Sequence, residues 1–155
     1  MERKTTVHAD EGKQDLTITR EFDLPVELLY KAYTDADIVA QWMGTNVLQL
    51  DNKQHGAYAF ETSDPQGVVL FKAHGTIHDV IPDKKIVRTF EMVNAGFDVQ
   101  LEFLTFESHT PDTSKLTIHI IFRSPEHREK QLKLPFAYGI NMAHSRLEQV
   151  VKQLK

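Results

Sequence analysis

The reading of ITREFDLPVELLYKAYTDADIVAQWMG, residues 18–44, decides the fold, because its hydrophobic period changes within a few residues. Across residues 14–24, Leu16, Ile18, Arg20, Phe22 and Leu24 share one phase, while Thr17, Thr19, Glu21 and Asp23 hold the other. That alternation is the pattern of a half-buried strand. Pro25 then suits the first position of a helix, and Leu28, Leu29, Ala32 and Tyr33 recur at helical spacing. Thr34 or Asp35 can cap a second short helix, which Trp42 and Met43 close and Gly44 stops. The stretch thus reads as one strand followed by two short helices.

Working outward, β-like runs cover 46–51, 57–62, 68–81, 85–93, 97–107 and 115–123. The turn-rich pieces DNKQHG, SDPQG, IPDK, NAG and HTPDTS separate them. Connections this short favour an antiparallel meander over parallel crossovers. Ser124 and Pro125 open a helical tail that Pro135 should kink or interrupt, since proline lacks the N–H donor and clashes with the preceding turn. Beyond it Phe136, Ile140, Ala143, Leu147, Val150 or Val151, and Leu154 trace one face of a helix of about five turns. Strands followed by a long helix predict an α+β domain whose sheet wraps that helix. Residues 1–13 are expected as a flexible N-terminal segment and 14–155 as a single domain.

Composition narrows the function classes. A chain of 155 residues buries roughly 70% of its unfolded surface in one core. Apolar residues at 41%, charged residues at 26% and a formal charge of −4 describe an ordinary globular domain. No basic cluster offers the footprint that phosphate backbones require, so nucleic acid is not an expected partner. No apolar run approaches the roughly 18 residues of a membrane span, and MERKTTVHADEGKQDL lacks the apolar centre of a signal peptide. A cytoplasmic location and no membrane partner are the expectation. The absence of cysteine removes disulfides, thiolate nucleophiles and Cys-based zinc sites.

The order and spacing of these pieces resemble the activator-of-Hsp90-ATPase-like branch of the START/Bet v 1-like (SRPBCC) superfamily, over about residues 14–154. The matching segments are residues 18–44, HGTIHDVIPDKKIVRTFEM, LTFES, KLTIHIIFRSPEHREKQL and the terminal amphipathic helix. Two departures stand out. Gln41 and Met43 flank a single tryptophan where relatives carry two in succession, and Gly56-Ala57 replaces a Gly-Gly pair. The chain length also leaves no room for the separate N-terminal Hsp90-activating domain of the eukaryotic co-chaperones. What the resemblance implies is a helix-grip fold. In it a curved antiparallel sheet wraps a long C-terminal helix, and the cavity between them in many relatives holds an apolar or amphipathic small molecule. A protein partner related to Hsp90 co-chaperones and a polyketide cyclase-like enzyme are the alternatives it brings.

Pockets of that kind are mainly apolar with a few placed polar groups. Trp42, the sole tryptophan, would close one end. Tyr58 and Phe60 share a strand phase, as do Phe90 and Met92, and Leu101 and Phe103, and each pair is expected to face Phe136 and Ile140. Phe71 and His74 lie on opposite phases of one strand, so only one of them can face inward. Arg20 occupies an apolar phase, and a buried charge must be paired. A carboxylate on the C-terminal helix or a strand would serve, as would a carboxylate-bearing ligand. The ligand-contact candidates are therefore Arg20, Trp42, Tyr58, Phe60, Phe71, His74, Phe90, Phe103, Phe136 and Ile140.

Eight histidines raise the question of a metal. His74 and His78, four apart on a strand, stand about 13 Å apart and cannot chelate together. No H-E-x-x-H pattern occurs. His119 is expected on a solvated face, and His144 at the shoulder of the terminal helix, within reach of the cavity mouth. No metal site and no cofactor are expected. Tyr58, His74 and His144 could assist proton transfer in a cyclase-like pocket, yet no nucleophile, base and orienter come together in the sequence.

Overall fold

The computed structural model describes residues 3–93 and 96–154. Eight strands form one antiparallel sheet: β1 Thr6–His8, β2 Asp15–Phe22, β3 Asn46–Leu50, β4 Ala57–Ser63, β5 Val69–Ile81, β6 Lys85–Met92, β7 Gln100–Thr110 and β8 Thr113–Ile121. Their order in the sheet is β1-β2-β8-β7-β6-β5-β4-β3. Four helices accompany them: α1 Val26–Thr34, α2 Ala36–Met43, α3 Pro125–Leu132 and α4 Phe136–Lys152. From β3 to β8 every connection joins sheet neighbours, as the short turns predict. Only the passage from β2 to β3 crosses the sheet, and α1 and α2 make that crossing.

Local chemistry explains the helix ends. Pro25 precedes α1, the Asp35 carboxylate accepts hydrogen bonds from the N–H groups of Asp37 and Ile38, and Gly44 ends α2 at φ +63°. The left-handed conformation there costs glycine little. Ser124 Oγ accepts from the His127 N–H with Pro125 behind it, and Pro135 separates α3 from α4. The alternation of β2 holds throughout: Leu16, Ile18, Arg20 and Phe22 are all buried against the helices.

The structure adds two details to the expected boundaries. Within residues 3–13, Thr6–His8 form a strand. β1 extends the sheet with Thr6 opposite Thr19, Val7 opposite Ile18 and His8 opposite Thr17, and the Thr5 N–H donates to Asn141 Oδ1 of α4 at 2.8 Å. Three residues carry too little alternation to announce a strand, and what organises them is the exposed edge of β2. The HTPDTS turn is also tighter than expected, because β7 and β8 run into it as far as the pair Thr110–Thr113. Asn94 and Ala95 of the expected NAG turn lie outside the described residues.

Candidate functional site

A cavity of about 610 Å³ lies between the sheet and the first half of α4. Its walls come from β2, β4 to β8, α1, α2 and the α3–α4 junction. Six of the sequence candidates line it: Trp42, Phe60, Phe71, Phe90, Phe136 and Ile140. Trp42 is both wall and core. Its Nε1–H donates to the Ala32 carbonyl at 2.7 Å and its ring meets Tyr33 edge-on at 5.2 Å, so the indole locks α2 onto α1 while one side faces the space.

The remaining four candidates are placed elsewhere. Phe71 takes the inward phase of β5, in step with buried Ala73 and Ile77, so His74 points outward and pairs with Glu91 at 3.5 Å. Phe103 is also on the outer face, stacked on His119 at 6.0 Å, because Glu102, Leu104 and Phe106 take the inward phase of β7. Both phases of that strand carry large apolar residues, so alternation alone could not choose between them. Tyr58 does point inward but lies beneath the cavity floor. Its hydroxyl donates to the Thr89 carbonyl at 2.5 Å, passing over Gly75, where any Cβ would sit 2.0 Å from that same oxygen.

Arg20 is inward but outside the cavity. Its guanidinium donates to Asn141 Oδ1 at 3.2 Å, Ser145 Oγ at 3.3 Å and Thr5 Oγ1 at 3.4 Å, and Glu148 Oε2 stands 3.9 Å away. The partner is thus a C-terminal-helix carboxylate. His144 belongs to the same cluster and does not reach the cavity mouth. It is fully buried, with Nδ1 2.8 Å from Thr5 Oγ1 and Nε2 3.1 Å from the Tyr33 hydroxyl. Burial, with the Arg20 charge as a lesser cause, pushes its pKa down to about 3, so the ring is neutral. Burial also raises the Tyr33 hydroxyl, which therefore stays protonated beside the ring.

The polar heart of the cavity is a pair that the sequence reading did not single out. Arg88 of β6 and Glu102 of β7 stand directly opposite in the register, both on the inner face. Arg88 Nε donates to Glu102 Oε1 at 2.9 Å, and Gln100 Nε2 donates to Glu102 Oε2 at 2.7 Å. The guanidinium lies 5.1 Å from the Tyr58 ring and 6.0 Å from the Tyr33 ring, a cation–π setting on two rings. A signal for it existed: Arg88 interrupts the apolar phase Ile86, Phe90, Met92, just as Arg20 interrupts that of β2. Chemically the pair offers donors. Both Glu102 oxygens accept hydrogen bonds, which hold the carboxylate in place between Arg88 and Gln100. Among the described residues no three His, Asp or Glu gather as a metal site would require.

Comparison with known proteins agrees with this geometry. The family described as "Activator of Hsp90 ATPase homolog 1-like protein" matches residues 23–152. A crystal structure of a protein from Mycobacterium smegmatis is similar at 20% identity and TM-score 0.82, covering 94% of each chain. A solution structure of a protein from Arthrobacter aurescens is similar at 15% identity and TM-score 0.84, over 96% of this chain and 91% of that one. A crystal structure of a protein from Rhodobacter sphaeroides is similar at 16% identity and TM-score 0.83, over 97% and 100%. At such identities the likeness establishes the helix-grip fold. No curated protein matches the sequence.

Proposed function

The chain belongs to the activator-of-Hsp90-ATPase homologue 1-like family of the SRPBCC superfamily, and from that premise we propose that it is a binding module for an apolar or amphipathic small molecule held between sheet and α4. The observation that carries the reading is the cavity of about 610 Å³, floored by Phe60, Phe71 and Phe90 and roofed by Phe136 and Ile140. A volume of that size lies within the usual range of small-molecule pockets. A concave space this large and mainly apolar, with a few convergent polar groups, has the character of a ligand site.

A protein-interaction role is the second reading, and a specific surface favours it. Leu134, Tyr138 and Met142 follow one another at four-residue spacing and are exposed by 48%, 69% and 45%. Clustered apolar exposure of this kind marks contact surfaces more often than chance. One experiment separates the two. Titration with the neutral fluorophore N-phenyl-1-naphthylamine should give saturable enhancement at micromolar concentration. Gly139→Trp should abolish it with the circular dichroism unchanged, because Gly139 lines the cavity and its Cβ would meet open space. A signal retained in Gly139→Trp but lost in Tyr138→Glu would overturn the cavity reading in favour of the exposed stripe.

A further inference from the structure

The cavity reading leaves open what chemistry the ligand carries, and the charges around Arg88 narrow it. Arg88 keeps 14% of its side-chain surface, against 2% for Arg20, and it lines the cavity. Its Nε is used by Glu102, whereas Nη1 and Nη2 make no hydrogen bond to any described residue. Neither atom is shut away from solvent-sized space, in contrast to Arg128 Nε on α3, which is. An arginine carries five N–H donors, so four of them are open toward a mainly apolar chamber whose other polar lining residues are Tyr33, Gln100, Glu102 and Gln131. Water can reach these donors, and a ligand acceptor placed there would replace it with a hydrogen bond to a charged donor.

An open guanidinium ordinarily suggests a carboxylate. Here Glu102 decides otherwise. It stands on the neighbouring strand within hydrogen-bond distance of Arg88, and both its oxygens are already occupied, by Arg88 and by Gln100. The pair is formally neutral as a unit. A ligand carboxylate entering the cavity would gain attraction to Arg88 and lose most of it to repulsion from Glu102, with its own desolvation left uncompensated. Among the described residues no lysine and no second arginine lines the cavity to make up the difference. A carbonyl oxygen accepts from the same Nη hydrogens without adding charge.

Resting on the cavity reading above, we infer that the ligand is a neutral, mainly apolar molecule bearing a carbonyl-type acceptor, a ketone, ester or amide, which takes hydrogen bonds from the Arg88 Nη groups. Glu102 is then the specificity-determining residue that turns carboxylates away. The guanidinium stands 6.0 Å from the Tyr33 ring and 5.1 Å from the Tyr58 ring, which hold it in place through cation–π attraction.

The test uses the full chain and three molecules of nearly one shape: 2-acetylnaphthalene with the carbonyl, 2-isopropenylnaphthalene with a carbon in its place, and 2-naphthoate with the charge. Calorimetric titration of the unmodified protein should rank the ketone about tenfold tighter than the hydrocarbon, the order a hydrogen bond to a charged donor contributes. The naphthoate should bind weakest. In Glu102→Gln, where the Arg88 charge is no longer balanced, naphthoate should rise to the tightest of the three. In Arg88→Met the ketone and the hydrocarbon should bind alike. Equal affinity of ketone and hydrocarbon for the unmodified protein overturns this inference and leaves the cavity reading standing. Naphthoate binding tightest to the unmodified protein overturns it likewise. If none of the three binds, the cavity reading falls with it. The decisive comparisons use the unmodified protein, so they hold even where a variant folds poorly.

Discussion

Arg20 and Arg88 both stand where their strands alternate in favour of an apolar side chain, and two faces of α4 treat them differently. Against one face, Arg20 is enclosed by Asn141, Ser145 and Glu148 of the helix and by Thr5 of the N-terminal segment, with His144 beside it. Toward the other, Arg88 has one carboxylate partner and an open chamber in front of it. The same residue type in the same phase is a structural fastener in one place and a ligand-facing donor in the other. What separates them is whether the facing side of the helix supplies acceptors: Asn141, Ser145 and Glu148 share one face of α4, while Phe136, Gly139 and Ile140 lie on another and offer none.

The sharpest way to break that contrast is to remove each charge. Arg20→Met takes the charged donor away from Asn141, Ser145 and Glu148, although Glu148 keeps the Asp23 N–H at 2.7 Å and Lys152 Nζ at 3.9 Å. A loss of about 3 kcal/mol is expected, the upper end for buried polar groups left without a partner. The paired replacement Arg88→Met with Glu102→Leu removes both charges from an apolar chamber and should leave stability unchanged or raised. Urea unfolding of both variants checks this. A loss of similar size in the two would show that the pair at the cavity is as structural as the cluster around Arg20.

A smaller effect distinguishes the fastened face by pH. His144 is neutral when folded, with a pKa near 3, and is expected to titrate at its ordinary 6.5 when unfolded. Between those values the unfolded chain binds a proton that the native state refuses, so stability falls as pH falls, by up to about 1.4 kcal/mol per unit. Above the unfolded value the contribution is fully present. The groups facing the ring are the Arg20 guanidinium, which also opposes protonation, the Tyr33 hydroxyl and Thr5. Stability measured from pH 6.5 to about 4.5 should slope in the native protein and flatten in His144→Asn, since the carboxylates that titrate low, such as Asp15 and Asp23, act further down. Equal slopes would mean that the ring accepts a proton without disturbing its partners.

How much of this was legible in the sequence follows the same division. The alternation of residues 14–24, the caps at Asp35 and Ser124, and the break at Pro135 rest on near-neighbour chemistry, and the structure reproduces them. The helix-grip architecture follows from their order. The apolar wall of the cavity was legible wherever a strand has one apolar phase, as with Phe60 and Phe90. It was lost in β7, where Phe103 and Leu104 compete for the core and only pairing with β6 and β8 decides. Arg88 and Glu102 carried the same signal that drew notice to Arg20, a charge in an apolar phase. Their value as a pair lies in a cross-strand register that alternation along one strand cannot reveal.

The smallest expected effect tests whether the cavity face of α4 is as loosely occupied as the contrast requires. Gly139 sits inside the helix, lines the cavity and has nothing within 4 Å of where a Cβ would stand. Glycine in a helix interior costs roughly 0.5–1 kcal/mol relative to alanine through its unfolded-state freedom. Gly139→Ala should therefore raise stability by about that amount and the melting temperature by a few degrees. At Gly75, by contrast, the Thr89 carbonyl and the Tyr58 hydroxyl stand 2.0 and 2.7 Å from the same atom, so alanine there must displace backbone. A gain at Gly139 means that the helix above the cavity retains glycine at a cost to folding, which fits a wall kept low over a space meant for something else. A loss there would mean that the wall closes on the cavity in solution, and the distinction between the two arginines would rest on a space the protein does not keep open.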